Sequence, residues 1–285
     1  MVKKKFFDRR ADGVAFFDLD GPLRDGTLLE WYSFLRNKEI ISSADWILME
    51  KEIAAFFKKK RKSVAQSAID AMNIYARALE GRTVSEIKLL AREFVNAPGF
   101  AKIRSYALEL VSLMRANKCK TNLITGQPVE LAEAFAGKLG IDAAIGTVLE
   151  TDRGKYTGKV LVNNSVGMNK EKALRELVGK YSKLMAKAFT FKSFAFGDTL
   201  HDMPMLERVT HPIALNPNED LARWALSSGW HVCGPENVLE TVSKKIVESD
   251  RAKHEIPPAV RRKVYRREER KTRKKPVKKP PRRPR

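Results

Sequence analysis

Cysteine is nearly absent. The chain of 285 residues holds two, Cys119 and Cys233. Two cysteines make neither a disulfide framework nor a zinc cluster, so the expected setting is reducing and cytoplasmic. Long apolar runs are missing too. Nowhere do about 18 apolar residues follow one another, the length that a membrane-spanning helix needs. Met1 to Phe7 carries lysines but no apolar segment long enough for a signal peptide. Beyond Ser249 the one aromatic residue is Tyr265, so base stacking is not suggested there. What remains is an ordinary globular composition, 43% hydrophobic. It is enough for one main domain and a smaller one.

Acidic residues are outnumbered. The chain has 55 Lys/Arg and 34 Asp/Glu, a net charge of +21. The excess is unevenly placed. Arg251 to Arg285 holds 17 Lys/Arg and 3 Asp/Glu, or +14, which leaves +7 for residues 1–250. Pro257-Pro258, Pro276 and Pro280-Pro281 punctuate the same end. Such a segment cannot bury enough surface to fold alone, so 251–285 is expected to be a disordered basic tail. Within it, 259–274 has the composition of a basic helix formed on a partner. A polyanion is the expected partner: nucleic acid, an anionic membrane surface or an acidic protein. Counterion release would make that binding salt-sensitive and blind to sequence. The plainer alternative is a solubilising tail.

The rest of the chain is organised around Val14-Ala15-Phe16-Phe17-Asp18-Leu19-Asp20-Gly21. The apolar run reads as a strand buried on both faces. It ends in two carboxylates two residues apart, then a glycine that permits a tight turn. Like charges this close need a cation or hydrogen-bond donors. Mg²⁺, typically held by one or two carboxylates plus phosphate oxygens, is the simplest compensation. An ordinary acidic turn is the bland reading.

From Thr27 to about Pro98 the pattern is helical. Apolar faces recur at Leu28, Trp31, Tyr32, Phe34 and Leu35, at Trp46, Met49, Ile53, Phe56 and Phe57, and at Ile69, Met72, Tyr75, Ala76 and Leu79. Gly81 marks a stop and Thr83-Val84-Ser85-Glu86 a capping box. Lys58 to Lys62 is a basic run, read first as a solvated face. After Pro98-Gly99 a helix is expected from about Phe100 to Asn117. Strands are then expected at Cys119–Ile124, Ala143–Thr151, Tyr156–Val162, Ser193–Phe196, Pro212–Leu215 and Gly229–Val232. The helices between them begin at Pro128, Asn169, about Met203 and 218, and a last one spans about 236–248. This alternation predicts an α/β fold with a Rossmann-like parallel sheet and helices on both faces. The core would be 1–26 plus 99–250. The insert 27–98 would be a helical cap over the carboxyl ends of the strands, where ligands bind. Asp18, Asp20, Thr125, Gly126 and Asp198 all fall at those ends.

These residues resemble the haloacid dehalogenase superfamily, in its phosphoserine-phosphatase-like branch. Phe17-Asp18-Leu19-Asp20-Gly21 resembles the first motif and Leu123-Ile124-Thr125-Gly126 the second. Gly167-Met168-Asn169-Lys170 resembles the third, and Phe196-Gly197-Asp198-Thr199-Leu200-His201-Asp202 with Met203-Pro204-Met205-Leu206 the fourth. Gly154 to Gly158 and Ala214-Leu215-Asn216-Pro217 also look like that branch. The resemblance implies a phosphatase acting on a small phosphorylated metabolite. Asp18 would be the nucleophile, forming an aspartyl-phosphate. Asp20 would be the general acid and base. Mg²⁺ would sit on Asp18, the Asp20 carbonyl and Asp198, with Asp202 as ligand or support. Thr125, Gly126 and Lys170 would hold the phosphate, and Lys170, with Lys172 as a competitor, would offset its charge.

There are departures. Pro22 replaces the usual threonine, losing a hydroxyl and a backbone donor. Thr27 stands where phosphoserine phosphatases place a glutamate for the substrate's amino group, which argues against phosphoserine. His201 stands where related phosphatases often have asparagine or another polar residue. Two rivals follow: a degenerate site whose basic tail does the work as a binding module, and a phosphotransferase with an alcohol in place of water.

Overall fold

The computed structural model describes residues 11–57, 64–164, 167–180 and 192–255. The Lys58–Lys62 run, the Phe56 and Phe57 side chains and tail residues 256–285 lie outside the described residues. Seven strands form one sheet: β1 (Gly13–Phe17), β2 (Cys119–Pro128), β3 (Ala143–Asp152), β4 (Lys155–Val162), β5 (Ser193–Gly197), β6 (His211–Leu215) and β7 (His231–Cys233). Their order is β4-β3-β2-β1-β5-β6-β7. All neighbours are parallel except the β3–β4 hairpin.

β1 is buried along its whole length because parallel strands flank it. Alternation of side chains lets it feed two cores. Val14 and Phe16 meet Ile124, Ala195, Leu206 and Ala214 on one face. Ala15 and Phe17 meet Leu123, Phe194, Phe196 and Ile213 on the other. Phe17 stacks on its register partner Phe196, with ring centroids 4.6 Å apart. After β1 the chain adds β2 and β3 on one side. It later returns to add β5 on the other. That reversal leaves a crevice beyond the carboxyl ends of β1 and β5.

The insert after β1 holds α1 (Leu28–Asn37), α2 (Ser43–Phe57), α3 (Val64–Ala78) and α4 (Val84–Asn96). Thr27 starts α1. Its Oγ1 accepts from the Leu29 N–H at 3.1 Å, while Glu30 Oε2 accepts from the Thr27 N–H at 2.7 Å. Gly81, at φ +79°, turns the chain after α3 and donates its N–H to the Tyr156 carbonyl at 2.9 Å. Thr83 caps α4 through the Glu86 N–H. Among the described residues the insert has no core of its own. Trp31 Nε1 donates to the Tyr75 hydroxyl at 3.0 Å. Trp31 and Phe34 meet Phe94 edge-on. Phe94 in turn meets Phe135 of α6 (Val129–Leu139). One apolar cluster therefore runs from the sheet through the helical insert.

The remaining helices are α5 (Ala107–Ala116), α7 (Gly167–Lys180), α8 (Met203–Leu206), α9 (Glu219–Ser227) and α10 (Val238–Glu255). α5 starts seven residues later than the expected Phe100. The segment before it takes positive φ at Gly99 (+80°) and Lys102 (+46°). It pairs instead with the turn after β1, through Asp25 N–H to the Lys102 carbonyl and Arg104 N–H to the Leu23 carbonyl. Pro128 is the residue before α6, not its first turn. α10 runs on to Glu255, past the expected end near 248, and takes in the first residues assigned to the tail. Among the described residues no helix is long and apolar enough to cross a membrane.

Candidate active site

Asp18 follows directly on β1. Its N–H donates to the Phe196 carbonyl at 2.9 Å, which fastens it between β1 and β5. The next residues curl back: the Leu23 and Arg24 N–H groups both donate to the Leu19 carbonyl. Gly21 has φ +95°, and a Cβ there would stand 2.1 Å from Asp198 Oδ2. Glycine is required by both conformation and space.

Lys170, in the first turn of α7, reaches into the crevice and is almost fully buried. Its Nζ lies 2.8 Å from Asp18 Oδ1 and 2.7 Å from Asp202 Oδ1. Lys172, the competing lysine, is exposed. Asp202 sits in the single helical turn Leu200–Asp202 after β5 and has no exposure. Its other oxygen accepts from the Asp198 N–H, the Thr199 N–H and the Thr199 hydroxyl at 3.1–3.2 Å. Asp18, Asp198 and Asp202 each bring a carboxylate oxygen to within 4.8 Å of the others.

The electrostatics follow from that crowding. Burial, and repulsion from Asp202, raise the Asp18 carboxyl to about 7 against the pull of Lys170. Burial and its acidic neighbours Asp18 and Asp202 raise Asp198 to about 9. Burial opposes the charge on Lys170, but Asp18 and Asp202 outweigh it and hold the ammonium above the usual lysine range. The cluster therefore carries more negative charge than its own donors balance. Hard oxygen donors, crowded and short of positive charge, fit a small divalent cation.

Asp20 stands apart from this cluster. Gln127 Nε2 donates to its Oδ2, and Arg24 Nε lies 3.1 Å from Oδ1. Burial raises its pKa, with Arg24 and then Gln127 pulling the other way. Arg24 is itself fully buried. It donates to the Thr27 carbonyl at 2.7 Å, pairs with Glu30 at 3.3 Å, and lies against the Phe94 and Phe135 rings.

β2 runs on to Pro128, past the expected end at Ile124, and Thr125 lies inside it, just beyond the last residue paired with β1. Thr125 is 1% exposed and its Oγ1 accepts from the Gln127 N–H at 3.2 Å. The Gly126 carbonyl accepts from the Thr147 hydroxyl. Asp18, Asp20, Thr125, Gly126, Lys170 and Asp198 all line one cavity of about 670 Å³. Asp202 stands behind Lys170 and is not part of that lining. His201 lines the cavity too, and burial lowers its pKa. Pro22 does not loosen the turn. Its carbonyl accepts from the Tyr106 hydroxyl at 2.6 Å, and the Gly21 carbonyl accepts from Arg104 Nε at 2.6 Å and Asn216 Nδ2 at 3.2 Å.

Sequence reasoning missed Arg24, Gln127, Arg104 and Tyr106. Arg24 had one signal, a cation four residues after Asp20. Gln127 had another, a long polar residue two positions after Thr125. For Arg104 and Tyr106 the signal is masked, because the sequence pattern predicts a helix from about Phe100.

The haloacid dehalogenase-like hydrolase model matches residues 15–207. Phosphoserine phosphatase SerB1 of Mycobacterium tuberculosis is 29% identical over 223 residues, covering 77% of this chain and 70% of that one. Among solved structures, a Bordetella pertussis protein of unknown function aligns with TM-score 0.66 and 22% identity, over 78% of this chain and 98% of that one. A probable phosphoserine phosphatase from Vibrio cholerae aligns with TM-score 0.57 and 16% identity, over 86% and 69%. Sequence match, strand order and the crevice agree: the chain belongs to the haloacid dehalogenase-like hydrolase family, in its phosphoserine-phosphatase-like branch.

Proposed function

We propose that this chain is a phosphatase that hydrolyses a small organic phosphomonoester, using Asp18 as nucleophile and Mg²⁺ as cofactor. The observation that carries the reading is the separation of two carboxylates two residues apart. Asp18 is held by Lys170 beside Asp198. Asp20 is held by Arg24 and Gln127 outside that cluster. Two carboxylates in different surroundings can serve as nucleophile and as acid.

An Asp18 oxygen attacks phosphorus and forms the aspartyl-phosphate while the ester P–O bond breaks. Asp20 gives its proton to the departing alkoxide; its raised pKa suits that role. Asp20 then takes a proton from water, whose oxygen attacks phosphorus. The Asp18–phosphorus bond breaks, and inorganic phosphate leaves. Lys170 balances charge on Asp18 and the phosphoryl oxygens throughout. The Thr125 hydroxyl, whose oxygen already accepts from Gln127, keeps its proton to donate to phosphate. Asp18, Asp198 and the Asp20 carbonyl would hold Mg²⁺, which supplies positive charge against the phosphate. Asp202 has both oxygens committed to protein donors, so it supports Lys170 and the Asp198 loop. Residues 27–98 serve as the cap.

The rival reading of a degenerate site leaned on Pro22. The three side chains that pin the turn at Gly21 and Pro22 favour a working site instead. Hydrolysis of p-nitrophenyl phosphate tests the proposal, in Mg²⁺ and in chelator, for the native chain and Asp18→Asn. Activity lost in chelator and in the variant is expected. Activity retained by Asp18→Asn refutes the mechanism.

A further inference from the structure

The cavity is much larger than a phosphate group needs. Its floor is the phosphate end, with Asp18, Thr125 and Lys170. Its opposite wall is built by the helical insert, with Ile53 from α2, Ala68, Ala71 and Met72 from α3, and Leu28 from α1. Leu28, Ile53 and Ala71 pack from behind against the main apolar cluster, and Met72 belongs to it. These residues therefore present a fixed apolar surface.

Several charged residues around the same cavity already have partners. Glu30 accepts from the Thr27 N–H at 2.7 Å and from Lys102 Nζ at 2.9 Å. Arg104 donates to the Gly21 carbonyl at 2.6 Å and lies near Asp25. Glu52, on the helical wall, has an interaction of its own. An amino-acid head group needs a carboxylate for its ammonium and a cation for its carboxylate. Glu30, Lys102 and Arg104 would have to give up existing bonds to serve it, and the rest of the head group would meet an apolar wall.

We propose that the cavity selects phosphate monoesters whose alcohol carries an apolar body, an alkyl chain or an aryl ring, over amino-acid phosphates. The inference rests on the phosphatase reading of the same site. The apolar wall is continuous with the phosphate end, so one substrate meets both. About 670 Å³ is the size of pocket that encloses a whole small organic ligand.

The test separates the inference from the reading beneath it. Binding of ethyl-, butyl- and hexylphosphonate, which cannot be hydrolysed at their P–C bond, is measured by calorimetry on the full chain with Mg²⁺. Each methylene that leaves water contributes up to about fourfold in affinity. The cavity is open at one side, so we expect at least about tenfold tighter binding for hexyl than for ethyl. Hydrolysis of hexyl phosphate and O-phosphoserine is compared in parallel, and hexyl phosphate should have the higher kcat/KM. Ile53→Ser and Ala71→Asp should each lower the hexyl-to-ethyl ratio, with thermal melting used to show that they fold. A flat phosphonate series, or a preference for O-phosphoserine, overturns the inference while leaving the phosphatase reading intact. A steep series without hydrolysis of any ester supports the apolar pocket and refutes the phosphatase reading.

Discussion

Replacing Arg24 by methionine isolates one buried charge at little cost in shape, because the stem is kept. Arg24 has no solvent exposure and faces two carboxylates, Asp20 at 3.1 Å and Glu30 at 3.3 Å. Glu30 keeps Thr27 and Lys102 after the change. Asp20 keeps the Gln127 hydrogen bond and the more distant charge of Lys170. Removing one partner of a buried pair costs about 3–5 kcal/mol. The Asp20 side chain is 28% exposed, so the lower end applies, about 3 kcal/mol. Loss of contact with the Phe94 and Phe135 rings would account for about 1 kcal/mol of this. At about 2–4 °C per kcal/mol, the melting temperature should fall by about 6–12 °C. The two contributions separate by pH. Without Arg24 the Asp20 carboxyl moves further up, so the folded variant binds a proton more readily than the unfolded chain. The loss should be larger at pH 8 than at pH 5, because proton uptake by Asp20 relieves its unbalanced charge as pH falls, while the ring contribution stays constant. Urea unfolding at both pH values measures this. A loss under about 1 kcal/mol at pH 8, or one identical at pH 5, would refute the pairing account and leave Arg24 as packing alone.

Lys170→Gln should lower kcat on an aryl phosphate by about a thousandfold, since it removes the one cation among the described residues that pairs with both Asp18 and Asp202; steady-state kinetics checks it. His211 is held neutral by burial and lowered to about 4, with Lys245 and His231 adding to the shift, Glu248 opposing it and Ser249 bonded to its Nε2. The unfolded chain therefore binds the extra proton between about 6.5 and 4. Stability should fall across that window as pH drops, by about 1–2 kcal/mol after allowance for solvent contact. His211→Gln should flatten the curve in denaturant titrations. Deleting residues 256–285 removes most of the +14 carried by 251–285. The shortened chain should elute from heparin at much lower salt than the full chain. Equal elution would show that the tail has no polyanion affinity.

The sheet was legible because buried parallel strands leave apolar runs that end in polar residues. Asp18 and Asp198 follow directly on β1 and β5, and Thr125 follows the apolar run of β2, although that strand continues to Pro128. Lys170 was legible over Lys172 only through its motif, since both are lysines at the start of one helix. Burial of the first and exposure of the second depend on how α7 docks. The partners of Asp20 were not legible. Arg24 lies in the turn after β1 and Gln127 in the last stretch of β2, where the pairing with β3 shifts register after Ile124. Neither place has a periodicity that marks a side chain's direction, and a buried arginine runs against composition-based expectation. The late start of α5 has the same origin. The segment from Phe100 to Tyr106 is apolar enough for a helix, yet it is drawn to the turn after β1 by backbone pairing.

The shared core of insert and sheet has a thermodynamic meaning. Trp31, Tyr75, Phe94 and Phe135 tie α1, α3, α4 and α6 into one apolar body. A hinged lid would swing on a dry interface of its own, and its opening would cost little. Here, lifting the helices as a unit would expose the centre of the molecule to water. Substrate exchange then belongs to small local displacements at the cavity mouth, and the described body should melt as one cooperative unit. A change of substrate preference in such an architecture comes from altering side chains on a rigid wall, residue by residue.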